Sequence, residues 1–524
     1  MALTWHCSVC GHAVKPSPRG GRRAVREQPI VVPYFLGLDL GTTSCRCAVF
    51  DRDGRQVAAA LAETAVQYPQ PLWAEVEPEV WWAGTVRVLR AVLGGGAVAP
   101  DQIAAIGITG LMHAPILLDA AGQPVTPAML WMDQRCAPQA EALQRQCEAA
   151  GLDTGRHIST TTSAPKLRWL ADERPSVLAQ AAHFMLPKDY LRYRLTGVAG
   201  TDPSDAGGTG LFDRERGEWH TALVRLCGLP ASLLPPLRPA AALAGQVSAA
   251  AAVETGLRPG TPVAMGAADT RCTLLGAGAV AADEVCLYLG TAAWLAFLGG
   301  GGGRPAIRGF GATATTGAAL RWLRDLLTTV TGEDVSASYD ALTREAAAVP
   351  PGAEGLLFLP HLMGERGPHA DPLARGALVG LTLRHGRPQV VRAVLEGTAF
   401  HLRCLLEDRM VGRRPAAAVV CGGAARSPLW MQVLADVCAV PLRTLEVVEA
   451  GALGAAILGG AAAGLLTVEE APARMVRVAH RYTPDAVAAV RYNALFARYG
   501  RLDDLLAPWF REGEPAAAHA TRKD

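Results

Sequence analysis

The first sustained apolar run, Ile30-Val-Val-Pro-Tyr-Phe-Leu-Gly-Leu-Asp-Leu40, has the length of a buried strand and stops at the small turn-forming residues Gly41-Thr42-Thr43. Ser44 to Phe50 reads as a second strand, and Asp51-Arg-Asp53-Gly54 closes a further hairpin. Strand signals recur at Ile103 to Thr109 and Ala114 to Leu118, and helical periodicity at Val80 to Leu93, Lys188 to Leu195 and Asp485 to Leu506. Strands alternating with helices imply an α/β layered architecture. The opening plan then repeats: Val285-Cys-Leu-Tyr-Leu runs into Gly290-Thr291-Ala-Ala and a second apolar stretch. The repeat predicts two related lobes, divided near the loosened composition of Gly276 to Ala282.

Two stretches, Val285 to Gly303 and Ala450 to Val468, carry no charge. Each is broken by several glycines, where a membrane span would show continuous bulky apolar residues. They read as buried strand-turn or core helix, so no membrane partner is expected. Across 524 residues, 50% are hydrophobic and 19% charged, and 50 basic side chains nearly cancel 48 acidic ones, which is the balance of a folded globular chain. With net charge +2 and the arginines dispersed, no stripe exists to neutralise a nucleic-acid backbone. No signal-peptide core follows Arg22, Arg23 and Arg26, and a cytoplasmic protein with reduced thiols is expected. Cys7-Ser-Val-Cys10-Gly-His12 has the spacing of half a zinc knuckle, completed by His6, His12 or a neighbouring subunit; the competing reading is an unstructured leader over residues 1–30. Residues 13–29 read as a linker.

Gly-Thr turns flanked by strands suit nucleotide phosphates, because exposed backbone N–H groups and threonine hydroxyls both donate to anionic oxygens. Asp39 sits two residues before the first turn in an otherwise buried strand, where an uncompensated carboxylate is costly, so a metal or hydrogen bonds must satisfy it. A hairpin Asx turn explains the same residues without chemistry. The GxxxxGK[ST] loop and the HExxH zinc pair are both absent from the sequence, which excludes two common enzyme plans.

Leu36-Gly-Leu-Asp-Leu-Gly-Thr-Thr-Ser44 resembles the first phosphate motif of the FGGY carbohydrate kinases, within the actin and Hsp70-like ATPase superfamily. Further matches follow in family order: Leu111-Met-His113, Leu130-Trp-Met-Asp-Gln-Arg135, Ala164-Pro-Lys-Leu-Arg-Trp-Leu170, Leu186-Pro-Lys-Asp-Tyr190 and Thr201-Asp-Pro-Ser-Asp-Ala206. Gly260-Thr-Pro-Val-Ala-Met-Gly-Ala-Ala-Asp269, Gly364-Glu-Arg-Gly-Pro-His369, Ala393-Val-Leu-Glu-Gly397 and Cys421-Gly-Gly-Ala-Ala-Arg-Ser-Pro-Leu-Trp430 continue the series, which spans about Val32 to Ala479 and is most similar to the xylulokinase branch.

The resemblance implies two ribonuclease-H-like lobes around a deep cleft: residues 31–276 binding sugar and carrying the catalytic base, residues 277–482 binding ATP, and a C-terminal helix and tail over 483–524. It implies Asp269 as the base, with a helix cap before Thr270 as the bland alternative. It places Met112, His113 and Thr270 at the sugar, and Mg2+ at Asp39. ATP would meet Thr42, Thr43, Gly290 and Thr291 at the phosphate turns, Gly317 at a helix start, and Gly422, Gly423 and Ser427 at the adenosine pocket. Trp131 is expected to pack beside His113, while Asp133, Arg135, Glu365 and Arg366 are expected to form ion pairs or brace the cleft.

Three amides of the xylulokinase pattern are replaced, by Leu111, Met132 and Thr270, and a lost hydrogen bond in a sugar pocket discriminates strongly between polyols. The implied activity is ATP-dependent phosphorylation of a terminal hydroxyl of D-xylulose or a related pentulose. A kinase for another polyol or a sugar acid such as gluconate, and a non-catalytic sensor of sugar and ATP, are the alternatives. A homodimer is left open.

Overall fold

The computed structural model describes residues 33–152, 157–279, 285–299, 306–331, 339–410 and 415–512. The leader, with His6, Cys7, Cys10 and His12, lies outside the described residues. From Pro33 onward the chain forms a single packed unit.

The first sheet contains β1 (Tyr34–Leu40), β2 (Ser44–Phe50), β3 (Gln56–Glu63), β4 (Ile103–Gly110), β5 (Leu243–Gln246), β6 (Pro262–Ala264) and β7 (Ala267–Ala268). The second contains β8 (Val285–Leu289), β9 (Ala293–Gly299), β10 (Ala306–Ala312), β11 (Ala418–Cys421), β12 (Leu442–Leu445) and β13 (Val478–Tyr482). Their orders are β5-β6-β4-β1-β2-β3, with β7 beside β4, and β13-β12-β11-β8-β9-β10. Directions match strand for strand: each central strand has an antiparallel meander on one side and two parallel strands on the other, closed by an antiparallel edge. The repeat seen around the two Gly-Thr turns thus extends to whole sheets.

Alternation along β1 decides what covers each face. Leu36, Leu38 and Leu40 pack with helix α1 (Pro78–Gly94), supported by Leu191 and Leu195 of α2 (Pro187–Thr196). Phe35, Gly37 and Asp39 face the other way, where Phe35 joins the alanine-rich core around Leu453 and Ile457. Four further helices frame the second half: α3 (Asp269–Gly276), α4 (Gly317–Thr331), α5 (Arg387–Arg409) and α6 (Pro428–Cys438). The uncharged 450–468 run supplies α7 (Ala450–Ala462), which packs on β1, β4 and α3 of the first sheet. A Cβ on Gly37 would lie 1.9 Å from the Ala452 carbonyl oxygen, and one on Gly107 only 1.6 Å from that of Ala455. Gly454 meets the Cys272 carbonyl at 1.9 Å in the same sense. Glycines on the strands therefore let α7 lie against the sheet backbone, and Gly454 within the run lets it lie against α3. No helix among the described residues is long and apolar enough to cross a membrane.

Several element boundaries differ from the sequence reading, three of them for a clear local reason. The strand expected from Ala114 starts at Ile116, since Pro115 cannot donate to a ladder. The last helix, α8 (Ala486–Glu512), begins one residue later than expected, because Asp485 caps it by accepting from the Ala488 N–H at 2.8 Å. Helix α3 begins at Asp269 itself, so Asp269 is not the cap of a helix starting at Thr270.

Candidate active site

Three parallel strands end together. Asp39 on β1 pairs in register with Thr109 on β4, and Ala267 of β7 pairs with the same threonine, whose hydroxyl donates to the Ala267 carbonyl at 2.8 Å. Beyond these carboxyl ends project Gly41 to Thr43, Met112 to His113, and Asp269 to Thr270. Burial pushes the Asp39 carboxyl up to about 6, and repulsion from Glu449 and, less, from Asp269 adds to it. Arg46, its cross-strand partner, acts in the opposite sense and is ion-paired with Glu449 just before α7. Asp39 has no hydrogen bond to the turn, so the Asx-turn explanation fails among the described residues. A Cβ on Gly451 would stand 2.7 Å from Asp39 Oδ2; glycine there lets the start of α7 pack against the carboxylate.

Burial also raises the pKa of Asp269, opposed by the Thr270 N–H and hydroxyl, which both donate to it, the hydroxyl at 3.1 Å. His113 adopts φ of +74° and its Nδ1 lies 2.7 Å from the Gly208 carbonyl oxygen. Gly208 is the floor for both sugar-side candidates: a Cβ there would come within 2.5 Å of Met112 Cε and 3.0 Å of His113 Cε1. Met112, His113, Asp269 and Thr270 are all partly exposed, as groups that meet a ligand must be.

In the second half, β8 delivers Gly290 and Thr291 to a turn on which α4 is seated. The N–H groups of Gly317 and Ala318 donate to the carbonyls of Gly290 and Thr291, both at 3.0 Å. Gly317 therefore joins the turn, but its N–H is already engaged and is not the free anion donor expected of a helix start. Gly422, at φ +89°, abuts Leu289, a Cβ there falling 2.6 Å from the Leu289 carbonyl oxygen, and Gly423 faces open space. Ser427 caps α6 by accepting from the Trp430 N–H at 3.3 Å.

Residues 34–276 match the N-terminal domain of the FGGY family of carbohydrate kinases, and residues 289–463 its C-terminal domain. The chain belongs to the FGGY family of carbohydrate kinases. Like the family, it is an ATP-dependent phosphotransferase with two actin-like lobes. It is 32% identical to the xylulose kinase of Escherichia coli, over 90% of this chain and 99% of that one. It is 31% identical to the Bacillus subtilis xylulose kinase, over 89% and 96%. The crystal structure of xylulose kinase from Rhodospirillum rubrum superposes with a TM-score of 0.77 at 32% identity, covering 91% of this chain and all of that one.

Within this FGGY chain, Trp131 is placed by its Nε1, which donates to the Thr42 hydroxyl at 3.1 Å, with the Arg366 guanidinium 4.7 Å above its ring. Asp133 and Arg135 form an ion pair, 2.6 Å apart, with Glu75 joining Arg135. Glu365 pairs with His361 and His401. Sequence reasoning passed over Ser204, Gly208, Arg46 and Glu449. It also passed over a fully buried charge cluster in which Lys188 lies 2.6, 3.1 and 3.3 Å from Asp189, Asp202 and Asp205, with Arg192 on Asp189. Burial pushes the Asp205 carboxyl up, against the pull of Lys188. Ser204 links this cluster to the site by accepting the Ala268 N–H at 3.0 Å. The signal available was the density of charges in Lys188-Asp-Tyr-Leu-Arg192 and Asp202-Pro-Ser-Asp205, short elements whose burial no period reveals.

Proposed function

We propose that this kinase transfers the γ-phosphoryl group of ATP to a terminal hydroxyl of D-xylulose or a closely related pentulose, with Asp269 as general base. The observation that carries the reading is the convergence of Asp269, His113 and Met112 at adjoining strand ends, beside the Gly41 to Thr43 turn. Asp269 would accept the acceptor hydroxyl's proton as the bond to phosphorus forms, and its raised pKa makes it a better base than a solvated aspartate. Thr42, Thr43, Gly290 and Thr291 would orient the phosphates, while Gly422 and Gly423 leave room for a flat base beside Ser427. Asp39 would hold Mg2+: its carboxyl is buried and destabilised as an anion, a cost that a hard cation offsets. The ion would supply charge neutralisation at the transferring phosphoryl group.

The pentulose reading draws support from Leu111, which is 4% exposed and packs in the core. That departure from the xylulokinase pattern therefore changes packing and not the polar lining of a pocket. Free thiols, mostly buried, fit a reducing, cytoplasmic compartment.

Initial rates with ATP, Mg2+ and a panel of ketoses and sugar acids test the proposal. D-xylulose should give the highest kcat/KM, at least tenfold above gluconate. A preference for gluconate would overturn the acceptor assignment, and ATP turnover indifferent to every acceptor would overturn the kinase mechanism.

A further inference from the structure

Away from the cleft, two imidazoles converge on one carboxylate oxygen. His361 and Glu365 lie on the loop after the Leu357–Leu359 strand, and His401 projects from the middle of α5. His361 Nδ1 is 3.1 Å and His401 Nε2 is 2.8 Å from the same Glu365 Oε2, and the candidate ligand atoms of all three residues fall within 4.8 Å of one another. All three are buried, at 1%, 8% and 2% exposed for His361, Glu365 and His401.

His361 is hydrogen-bonded through both ring nitrogens, to Glu365 and Asp503, but His401 is not satisfied in the same way. Both ring nitrogens of His401 are buried without a hydrogen-bond partner among the described residues, although Nε2 lies 2.8 Å from Glu365. The hydroxyl of Tyr499, also buried and unpartnered, lies within electrostatic reach of Glu365 and Asp503. Around one carboxylate, then, three polar atoms have no hydrogen-bond partner. A cation at the centre would take one His401 nitrogen together with His361 Nδ1 and the Glu365 carboxylate.

We propose that His361, His401 and Glu365 form a structural zinc site, with Asp503 orienting His361. Two imidazoles and a carboxylate are a donor set suited to Zn2+, with the fourth position left to water or to Tyr499. Bonds of about 2.1 Å imply ligand separations of roughly 3.4 Å, so the nitrogens of His361 and His401 would draw back from Glu365 Oε2 by roughly 0.3 and 0.6 Å. His361 Nε2 lies 3.0 Å from Asp503 Oδ1 on α8, the outer-carboxylate arrangement that fixes the tautomer of a metal-bound histidine. The Asp503 side chain, 43% exposed, marks the way in from solvent. Zinc here would tie α5, α8 and the 361–367 loop together. Glu365 Oε1 accepts the N–H groups of Arg366 and Gly367, so the site would also fix the backbone that carries Arg366 to Trp131.

Metal analysis of the untagged full chain, stripped with EDTA and dialysed against zinc, is the test. The proposal expects one equivalent lost in the His361→Ala and His401→Ala variants but kept in Cys7→Ser/Cys10→Ser, and a roughly 10- to 100-fold weaker affinity in Asp503→Asn. Should the histidine variants misfold, Co2+ loaded into the wild-type protein gives an independent answer. Visible bands of nitrogen and oxygen ligation support the site, whereas a thiolate charge-transfer band overturns it. Zinc content unchanged in the histidine variants, or no uptake by the wild type, overturns it as well.

Discussion

Asp269 stands in the first turn of α3 with its carboxyl raised by burial and only Thr270 to stabilise the charge. For a base this fixes the direction of the pH profile. The ionised form is present above the raised pKa and is lost as pH falls through it, so the acid limb of kcat should lie above the ordinary aspartate value of about 3.9. Asp269→Asn should lower kcat by about 10²- to 10⁴-fold while KM for ATP stays within a few-fold. Steady-state rates across pH, with and without the substitution, check both. At Gly208 an added methyl must displace Met112 or His113, so Gly208→Ala should raise KM for the sugar and leave KM for ATP unchanged. Asp39 was legible because it interrupts an apolar strand, whereas Met112, His113 and Asp269 were named through the family resemblance. Their supports Ser204 and Gly208 were not, since small residues in turns carry no pattern of their own.

At the scale of elements, α7 shows how composition misleads without contacts. Its glycines weaken a helix by about 1 kcal/mol each relative to alanine, yet they sit where backbone meets backbone. Gly107→Ala or Gly454→Ala should cost more than the ~1–3 kcal/mol of ordinary overpacking, because a carbonyl oxygen stands under 2 Å from the new methyl. Urea unfolding midpoints will measure it, and a loss below 1 kcal/mol would mean that helix and sheet can part easily. The Lys188 cluster makes a similar argument for α2. Lys188→Met leaves Asp189, Asp202 and Asp205 without their shared cation and should cost about 3–5 kcal/mol by the same measurement.

For the whole molecule, the two sheets repeat one strand order, and segments distant in sequence close the space between them. Glu449 pairs with Arg46 some four hundred residues earlier, and Arg366 stacks on Trp131, whose indole holds the Thr42 hydroxyl. Losing a cation–π contact of about 0.5–1 kcal/mol should raise KM for ATP by roughly two- to fivefold in Arg366→Ala, with kcat for the sugar little changed. Titration of ATP at saturating sugar would reveal it. Local pattern was enough to determine the α/β class, the duplicated strand-turn-strand units and Asp39 at a strand end, because period and turn chemistry act over a few residues. Which face of the first sheet α7 covers, why Gly317 has no spare N–H, and which charges meet Lys188 depended on contacts between distant segments. Such contacts are chosen by burial and by close approach of backbones, and neither leaves a period in the sequence.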